Sequence, residues 1–383
     1  MINKDKMPLA VGIAFVAFTT QFGGGFASGA QLYQYFGNFG IFGVFMPILS
    51  QLLLTLFFYY GLRYAFRNKT YDYRTFSDHF YGKFRPVFSN LYEIVYLMLI
   101  FLAPAVAFAT GGSTLNTLTG MPYWLCTLII GAFIFLIAMF GTDIVRKCAS
   151  TLSVLIIIGL LVVLVPNIIV QWDSITEAFS TMASGAVPVG SKESGSFGSA
   201  LWSGIVYALF QLASIGLMYQ HVKPLKEEKQ VNRSMIYMFI VNTATIMLSI
   251  VGMMAIAFHE DLADASVPML LLVQNGVGSG ILTPIISILI ILGAVSTAVN
   301  MIAGIVTRTV NQLEKKEDEK TASSKRMLRS TVASLFFTIL AFGIAQFGLI
   351  PLVSVGYSYL GYATLIAVAI PFLVHFFAHL KKA

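Results

Sequence analysis

Three consecutive glycines interrupt the first long apolar run, which reads Thr19-Thr20-Gln21-Phe22-Gly23-Gly24-Gly25-Phe26-Ala27-Ser28-Gly29. Glycine is the poorest helix former after proline. A backbone group freed in hydrocarbon costs several kcal/mol, so a break there must face protein or a watered cavity. Freed N–H groups can then hold an anion, and freed carbonyls a cation. The competing reading is close helix packing through small residues, and Gly25 and Gly29 have the Gly-xxx-Gly spacing for it. Polar Gln21 and Ser28 beside the glycines favour the break, because packing alone does not need them. A milder interruption, Gln211, Ser214 and Gly216, lies at mid-depth in a later apolar run that includes Tyr207 and Phe210. A third feature is the set Gly293, Ser296, Thr297, Asn300 and Gly304, spaced i, i+3, i+4, i+7 and i+11 on one helical face. A polar stripe inside an apolar helix faces the bundle interior. Its hydroxyls serve either as interhelical hydrogen-bond partners or as ligands for a hard cation.

Other chemistries lack their residues. There is no HExxH, no GxSxG and no GxxxxGK, so no metalloprotease, serine-hydrolase or ATP-driven reading arises. An enzyme is not expected, nor an organic cofactor. Cys126 and Cys148 have neither zinc nor disulfide spacing and read as core packing. His221 and His259 lie near the ends of apolar runs. His375 and His379, at i and i+4, could pair on a metal but read better as an interfacial helix face. Glu93 lies about two turns into an apolar run and reads as a snorkelling or helix-linking group, with a proton relay as the sharper alternative. Asp143 reads as a loop residue.

The elements that must position these residues are membrane helices. The 383 residues are 57% hydrophobic and 11% charged, against about 25% charged in soluble domains. Apolar runs long enough to span, about 20 residues each, fall near 8–36, 40–66, 86–111, 121–141, 149–167, 198–221, 233–258, 281–310, 330–347 and 352–379. With the N-terminus inside, only Lys192 of the 24 Lys and Arg residues falls in an outer segment. A missed span would invert everything downstream, so this separation supports ten spans with both termini cytoplasmic in a bacterial inner membrane. Trp124, Trp172 and Trp202 fall at the outer interface as an aromatic belt would. The net charge of +7 sits in short loops, so the partners expected are the lipid bilayer and a small solute, with no nucleic acid. Nothing in the sequence marks an oligomeric interface.

A cleaved leader is the alternative for the first thirty residues, since Lys4 and Lys6 precede the run and Ala27-Ser28-Gly29-Ala30 resembles a small-residue cleavage site. Thr19, Thr20 and Gln21 interrupt the run well before that point, which favours a span. Residues 168–197 form an outer segment with a surface helix from Trp172 to Met182. Residues 259–280 suggest a short helical hairpin over the outer face, and 311–329 a solvated charged connection. The organisation expected is a five-helix unit at 1–167, the outer segment 168–197, and a second five-helix unit at 198–379. Five is odd, so the two units enter the membrane from opposite sides. Interrupted helices at matching positions of two inverted units point to a central binding site.

This pattern resembles the LeuT-type fold of the amino acid–polyamine–organocation superfamily, all-α with ten helices in a five-plus-five inverted repeat and breaks in helices 1 and 6. Within it, Gly23-Gly24-Gly25-Phe26-Ala27-Ser28-Gly29 resembles the G-x-G-F-A-S-G stretch of YkvI-type amino acid permeases. The architectural resemblance covers nearly the whole chain; the narrower one rests on this short stretch. It implies a secondary transporter with a site between helices 1, 3, 6 and 8. It also implies a sodium ion held by the Ser296 and Thr297 hydroxyls and by carbonyls of Thr19, Phe22 and Gly293. Proton-coupled relatives often carry a lysine on helix 5 in that place. Residues 150–164 contain none, and Lys147 lies at the helix start, which favours sodium. Gln31 stands where a glutamate is expected in YkvI-type proteins, so any coupling role of that acid does not carry over.

For the solute, the Gly24 and Gly25 amides suit a carboxylate, with Gly23, Phe26 and Ser28 beside them. Gln211, Ser214 and Gly216 would face them, and Phe101, Tyr207 and Phe210 would line an apolar pocket. No acidic residue lies at mid-membrane to hold an amine strongly, so an amino acid or related zwitterion or monoanion fits better than a polyamine. The alternatives are a ligand-sensing receptor subunit of the same fold and a proton-coupled permease.

Overall fold

The computed structural model describes residues 8–140, 142–314 and 319–380, without the side chains at 140, 142–153, 319–323 and 379–380. Lys4, Lys6, Asp143, Lys147, Cys148 and His379, named above, therefore lie outside the described residues or side chains. Every regular element among the described residues is helical.

The first span comes in three pieces: α1 (Leu9–Gln21), α2 (Gly24–Ala27) and α3 (Ala30–Tyr35). Gly29, between the last two, has φ +81°, a left-handed value that favours glycine. Next come α4 (Gly40–Asn68), α5 (Tyr73–Tyr81), α6 (Arg85–Thr119), α7 (Tyr123–Phe140) and α8 (Thr142–Val170). The short α9 (Trp172–Ala183) bends away from the end of α8 by 77°. It buries Ile175, Ala178 and Met182 and turns Asp173 outward, the pattern of a surface helix. The second half holds α10 (Phe197–Leu212), α11 (Ile215–Met218), α12 (Glu228–Met253), α13 (Pro268–Gln274), α14 (Ser279–Glu314) and α15 (Glu319–Ala345). The last span runs through α16 (Leu349–Pro351), α17 (Tyr357–Thr364) and α18 (Ile370–Leu380), with π-helical turns at Leu352–Gly356 and Leu365–Ala369.

Among the described residues six helical stretches are long and apolar enough to cross a membrane, and two bent pairs raise the number to eight. The other two spans expected from sequence are the shorter apolar helices Leu9–Gln21, continued past its break, and Tyr123–Met139. The protein is thus a multi-pass membrane protein in which spans 1 and 6 are the broken ones. Side chains such as Phe45, Leu56, Ile240, Phe336 and Val374 are exposed around the outside, where lipid rather than water is the solvent.

Three boundaries differ from the sequence expectation for stated reasons. Helix α6 does not end near residue 111. Gly111 and Gly112 serve contact instead, since a Cβ there would lie 2.8 Å from Ile130 and 2.3 Å from Thr127 of α7. The charged connection before span 9 is already helical from Glu319. The segment between spans 2 and 3 also contains α5, whose polar sequence gave no span signal. Asp72 caps it by accepting from the Thr75 N–H at 2.8 Å. Its buried face stacks Phe76 on Tyr219 at 4.0 Å and sets Phe80 against Phe372 at 4.8 Å.

The arginine-rich end of the bundle is held by charged links. Glu93 of α6 forms an ion pair with Arg308 of α14. It also accepts a hydrogen bond from the Tyr73 hydroxyl of α5 at 2.7 Å. Tyr73 lies flat on Tyr96 at 4.2 Å, and the Arg308 guanidinium sits 5.5 Å from the Tyr73 ring. Glu93 therefore links helices. Arg67 of α4 holds Glu228 of α12 with two hydrogen bonds, at 2.6 and 2.9 Å. Glu93→Gln leaves Arg308 without its counter-ion. It should destabilise by an amount between the ~1 kcal/mol of exposed pairs and the ~3–5 kcal/mol of fully buried ones. With Cys126 and Cys148 replaced, it should also speed maleimide labelling of Met301→Cys, and unchanged labelling would show that the link does not close this end.

Candidate substrate and cation site

The glycine run does break the first span. Helix α1 closes on the Phe22 N–H, 2.8 Å from the Phe18 carbonyl. Phe22 (φ −100°, ψ 62°) and Gly23 (φ −81°, ψ −167°) then leave helical geometry. The carbonyls of Thr19, Thr20 and Gln21 are past the last helical donor, and the Gly24 and Gly25 N–H groups precede the first helical donor of α2, the Phe26 N–H. Close packing operates too. A Cβ on Gly23 would lie 2.9 Å from Thr297 Oγ1; on Gly24, 2.8 Å from the Ala294 Cβ; on Gly25, 2.7 Å from Gln31 Nε2. The two readings of the glycines are compatible because the break is pressed directly against α14.

Span 6 is interrupted more gently. Helix α10 ends at Leu212, α11 starts at Ile215, and the axis bends by 41°. The Ser214 hydroxyl donates to the Gln211 carbonyl at 2.7 Å. Gln211 Nε2 reaches across to the Gln21 carbonyl at 3.2 Å and to the Tyr207 hydroxyl at 3.3 Å. The Gln21 side chain is in turn fixed by α12: its Oε1 accepts from Asn242 Nδ2 at 2.7 Å, and its Nε2 lies 3.8 Å from Met238 Sδ. One chain of carboxamides thus ties both interruptions together and offers a donor to a carbonyl that the first break sets free.

Between the two breaks lies a cavity of about 40 Å3, room for a few water molecules at ~10–15 Å3 each. Gly23, Gly24, Gly25, Phe210, Gln211, Ser214 and Thr297, all read from the sequence as site residues, line it together. No acidic or basic side chain does so among the described residues. Phe210 stacks on Tyr357 at 4.7 Å with ring planes 6° apart, which covers one side of the cavity.

The other candidates sit elsewhere. Phe26 is buried behind the break with its ring 4.0 Å from Phe22. The Ser28 hydroxyl donates to the Gly25 carbonyl at 3.0 Å, and the Ser28 carbonyl receives the Met269 N–H of α13 at 3.0 Å. Tyr207 stands behind Phe210, at 5.0 Å. Gly216 lies below the cavity, where a Cβ would be 3.1 Å from both Tyr73 Cβ and Tyr92 Oη. Phe101 is on another face of α6, 6.0 Å from Phe337 in a crevice with Ile302 and Ile305. Helical periodicity explains this: Leu99, Ala103 and Val106 face the cavity at i, i+4 and i+7, and residue 101 is turned roughly 200° from residue 99.

The cation candidates divide in the same way. Gly293 and Thr297 share one row of α14, and the Thr297 hydroxyl, against Gly23, donates to the Gly293 carbonyl at 2.9 Å. Ser296 is half-buried and Asn300 exposed, on the neighbouring row. The Thr19 hydroxyl turns back onto its own helix, to Phe15 and Val16 carbonyls at 3.1 and 3.0 Å, and the Phe22 ring stacks on Phe18 at 4.2 Å. The Thr19 hydroxyl thus donates its proton within α1, and what Thr19 and Phe22 offer at the break is their backbone carbonyls. Sequence reasoning did not assign Thr20, Gln21, Gln31, Leu99, Ala103, Val106, Ala107, Met301 or Tyr357 to the cavity. Of these Gln21 and Gln31, polar residues in the apolar halves on either side of the break, carried a signal. Among the described residues no three His, Cys, Asp or Glu side chains gather into a metal-binding group.

Neither a protein-family model nor a curated protein matches the chain by sequence. Solved structures do match by shape. A substrate-bound, outward-open Na+-coupled sialic acid symporter superposes with a TM-score of 0.60, covering 96% of this chain and 90% of its own at 13% identity. A point variant of the Eremococcus coleocola manganese transporter matches with a TM-score of 0.50, covering 96% and 85% at 14% identity. At such identities the likeness speaks to the fold, and the fold is the LeuT-type arrangement of ten spans in two inverted sets of five.

Gly24→Ala would push a methyl against the Ala294 Cβ and Cα, which cannot yield as the tip of a flexible side chain can. It should destabilise by about 1–3 kcal/mol and abolish solute binding, while Gly12→Ala, with nothing within 4 Å, should do neither; thermal unfolding in detergent reads both. Phe210→Ala should weaken solute binding at least about tenfold, and Phe101→Ala should leave it within about twofold, by equilibrium binding.

Proposed function

We propose that the chain is a sodium-coupled secondary transporter of a small amino-acid-like solute, zwitterionic or monoanionic, working by alternating access. The observation that carries this is the meeting of two interrupted spans at one uncharged, polar-lined cavity, with Thr297 of α14 against the first break. Unpaired backbone donors and acceptors at such a site suit an anionic group and a hard cation together. The sialic acid symporter that shares the fold is Na+-coupled, and the manganese transporter also moves a solute across a membrane. The resemblance of residues 23–29 to YkvI-type permeases and the lack of lysine in residues 150–164 point the same way.

In this reading the units 1–167 and 198–379 are inverted repeats joined by 168–197, and the arginine-rich end faces the cytoplasm of a bacterial cell. Sodium sits between the Thr297 hydroxyl and the carbonyls released at the end of α1. Ser296 joins the shell only if α14 turns, since it lies one row away.

Purified protein should be stabilised by sodium and not by potassium. A ligand at ~100 times its Kd adds about 2.7 kcal/mol to a folded state that alone binds it, a shift of several degrees. Thr297→Ala should remove the sodium shift, and neutral amino acids should add a further shift in wild type. Uptake of the binding amino acid into proteoliposomes should then need a sodium gradient. No response to sodium, with amino acid uptake driven by a proton gradient, would replace sodium by protons. Binding without transport would favour a sensor.

A further inference from the structure

Three glutamines face the cavity, and they are not in the same condition. Gln211 donates through Nε2 to the Gln21 carbonyl and to Tyr207. The Gln21 side chain is engaged at both ends by Asn242 and Met238. Gln31, on α3, is 3% exposed, yet its Oε1 has no hydrogen-bond partner. Its Nε2 lies over Gly25, 2.7 Å from where a Cβ would stand. Buried carboxamide oxygens are almost always paired, so an unpaired one calls for an explanation. Gln31 lines the cavity beside the first-turn amides of the break. The Ser214, Thr297 and Thr20 hydroxyls already donate their protons to the Gln211, Gly293 and Val16 carbonyls, which leaves them only their lone pairs.

We propose that Gln31 is the specificity-determining residue of this site: its Oε1 accepts a hydrogen bond from an N–H of the solute, selecting a net-neutral α-amino acid over the corresponding carboxylic acid without an amino group. The assignment rests on the transporter reading above and deepens it. A carboxamide supplies an acceptor without adding charge, and among the described residues no acidic or basic side chain lines the cavity to balance a net-charged solute. The carboxylate end goes to the glycine amides, and the ammonium, one carbon away, comes within reach of the same half-helix that carries Gln31. The apolar walls from Leu99, Ala103 and Met301 leave the solute side chain a compact, uncharged space.

The test compares affinities on purified full-length protein in sodium. A panel of neutral L-amino acids is screened by thermal shift, and the tightest binder is then titrated beside its own deaminated acid. Gln31→Met keeps length and burial but has no carbonyl oxygen; Gln31→Glu keeps an acceptor and adds charge. Wild type should prefer the amino acid to its deaminated acid by at least about tenfold, the loss expected for one hydrogen bond to a charged donor. Gln31→Met should close most of that gap while keeping the sodium shift, which reports an intact fold. Gln31→Glu should widen it. If Gln31→Met does not fold, a gap in Gln31→Glu no wider than in wild type overturns the assignment. A gap unchanged in a sodium-responsive Gln31→Met overturns it as well, and leaves the transporter reading standing. If neither sodium nor any amino acid stabilises wild type, both fall together.

Discussion

The peptide groups of residues 19–25 lie in the middle of a membrane protein and cannot all be paired within a helix. In hydrocarbon that would be prohibitive. The rest of the interior is arranged around this one deficit. Thr297 and Ala294 of α14 press on the glycines at distances that no side chain would permit. Gln211 brings a donor from the second interrupted span to the Gln21 carbonyl, and Asn242 holds the Gln21 side chain. A break that is costly in isolation becomes the point where spans 1, 6, 7 and 8 register against each other. What is left unpaired there is what a solute or ion can use.

The cavity and the arginine-rich end of the bundle are held by different physics. At the cavity the cover is aromatic, Phe210 on Tyr357, with Tyr35 at 5.1 Å from Phe210. At the arginine-rich end it is a charged and aromatic stack, with Glu93 holding Arg308 and Tyr73 while Tyr73 lies on Tyr96. Helix α5 contributes Tyr73 to that stack. It is fastened to the spans by Phe76 and Phe80, so it belongs to the packed body rather than to a loose loop.

Much of this was legible in the sequence because lipid imposes a simple code. The ten spans, the surface helix beginning at Trp172 and the break at the glycines follow from apolar run length, charge placement and the poor helix propensity of glycine. What could not be read is rotation. Phe101 has the composition of a pocket residue, yet its position on the turn sends it to Phe337. Ser296 and Thr297 are adjacent in sequence and so lie 100° apart on the helix, and only Thr297 meets the break. Ala103, Val106 and Ala107 look like any other apolar residues of a span; partner helices alone decide that they face the cavity. Helix α5 was hidden because a short amphipathic helix in a polar segment carries no run-length signal.

The last span carries two π-helical turns, at Leu352–Gly356 and Leu365–Ala369. Each widened turn gives a carbonyl to a tyrosine hydroxyl from the first half of the chain, Val353 to Tyr35 at 3.0 Å and Ala367 to Tyr81 at 2.6 Å. A widened turn loosens the regular ladder and is common at functional sites. The tyrosines therefore act as removable pins. Withdrawing one lets water take up both the hydroxyl and the carbonyl, so the number of hydrogen bonds is conserved while the contact is undone. A contact made this way is directional and firm when dry, yet it is undone at little enthalpic cost wherever solvent reaches it.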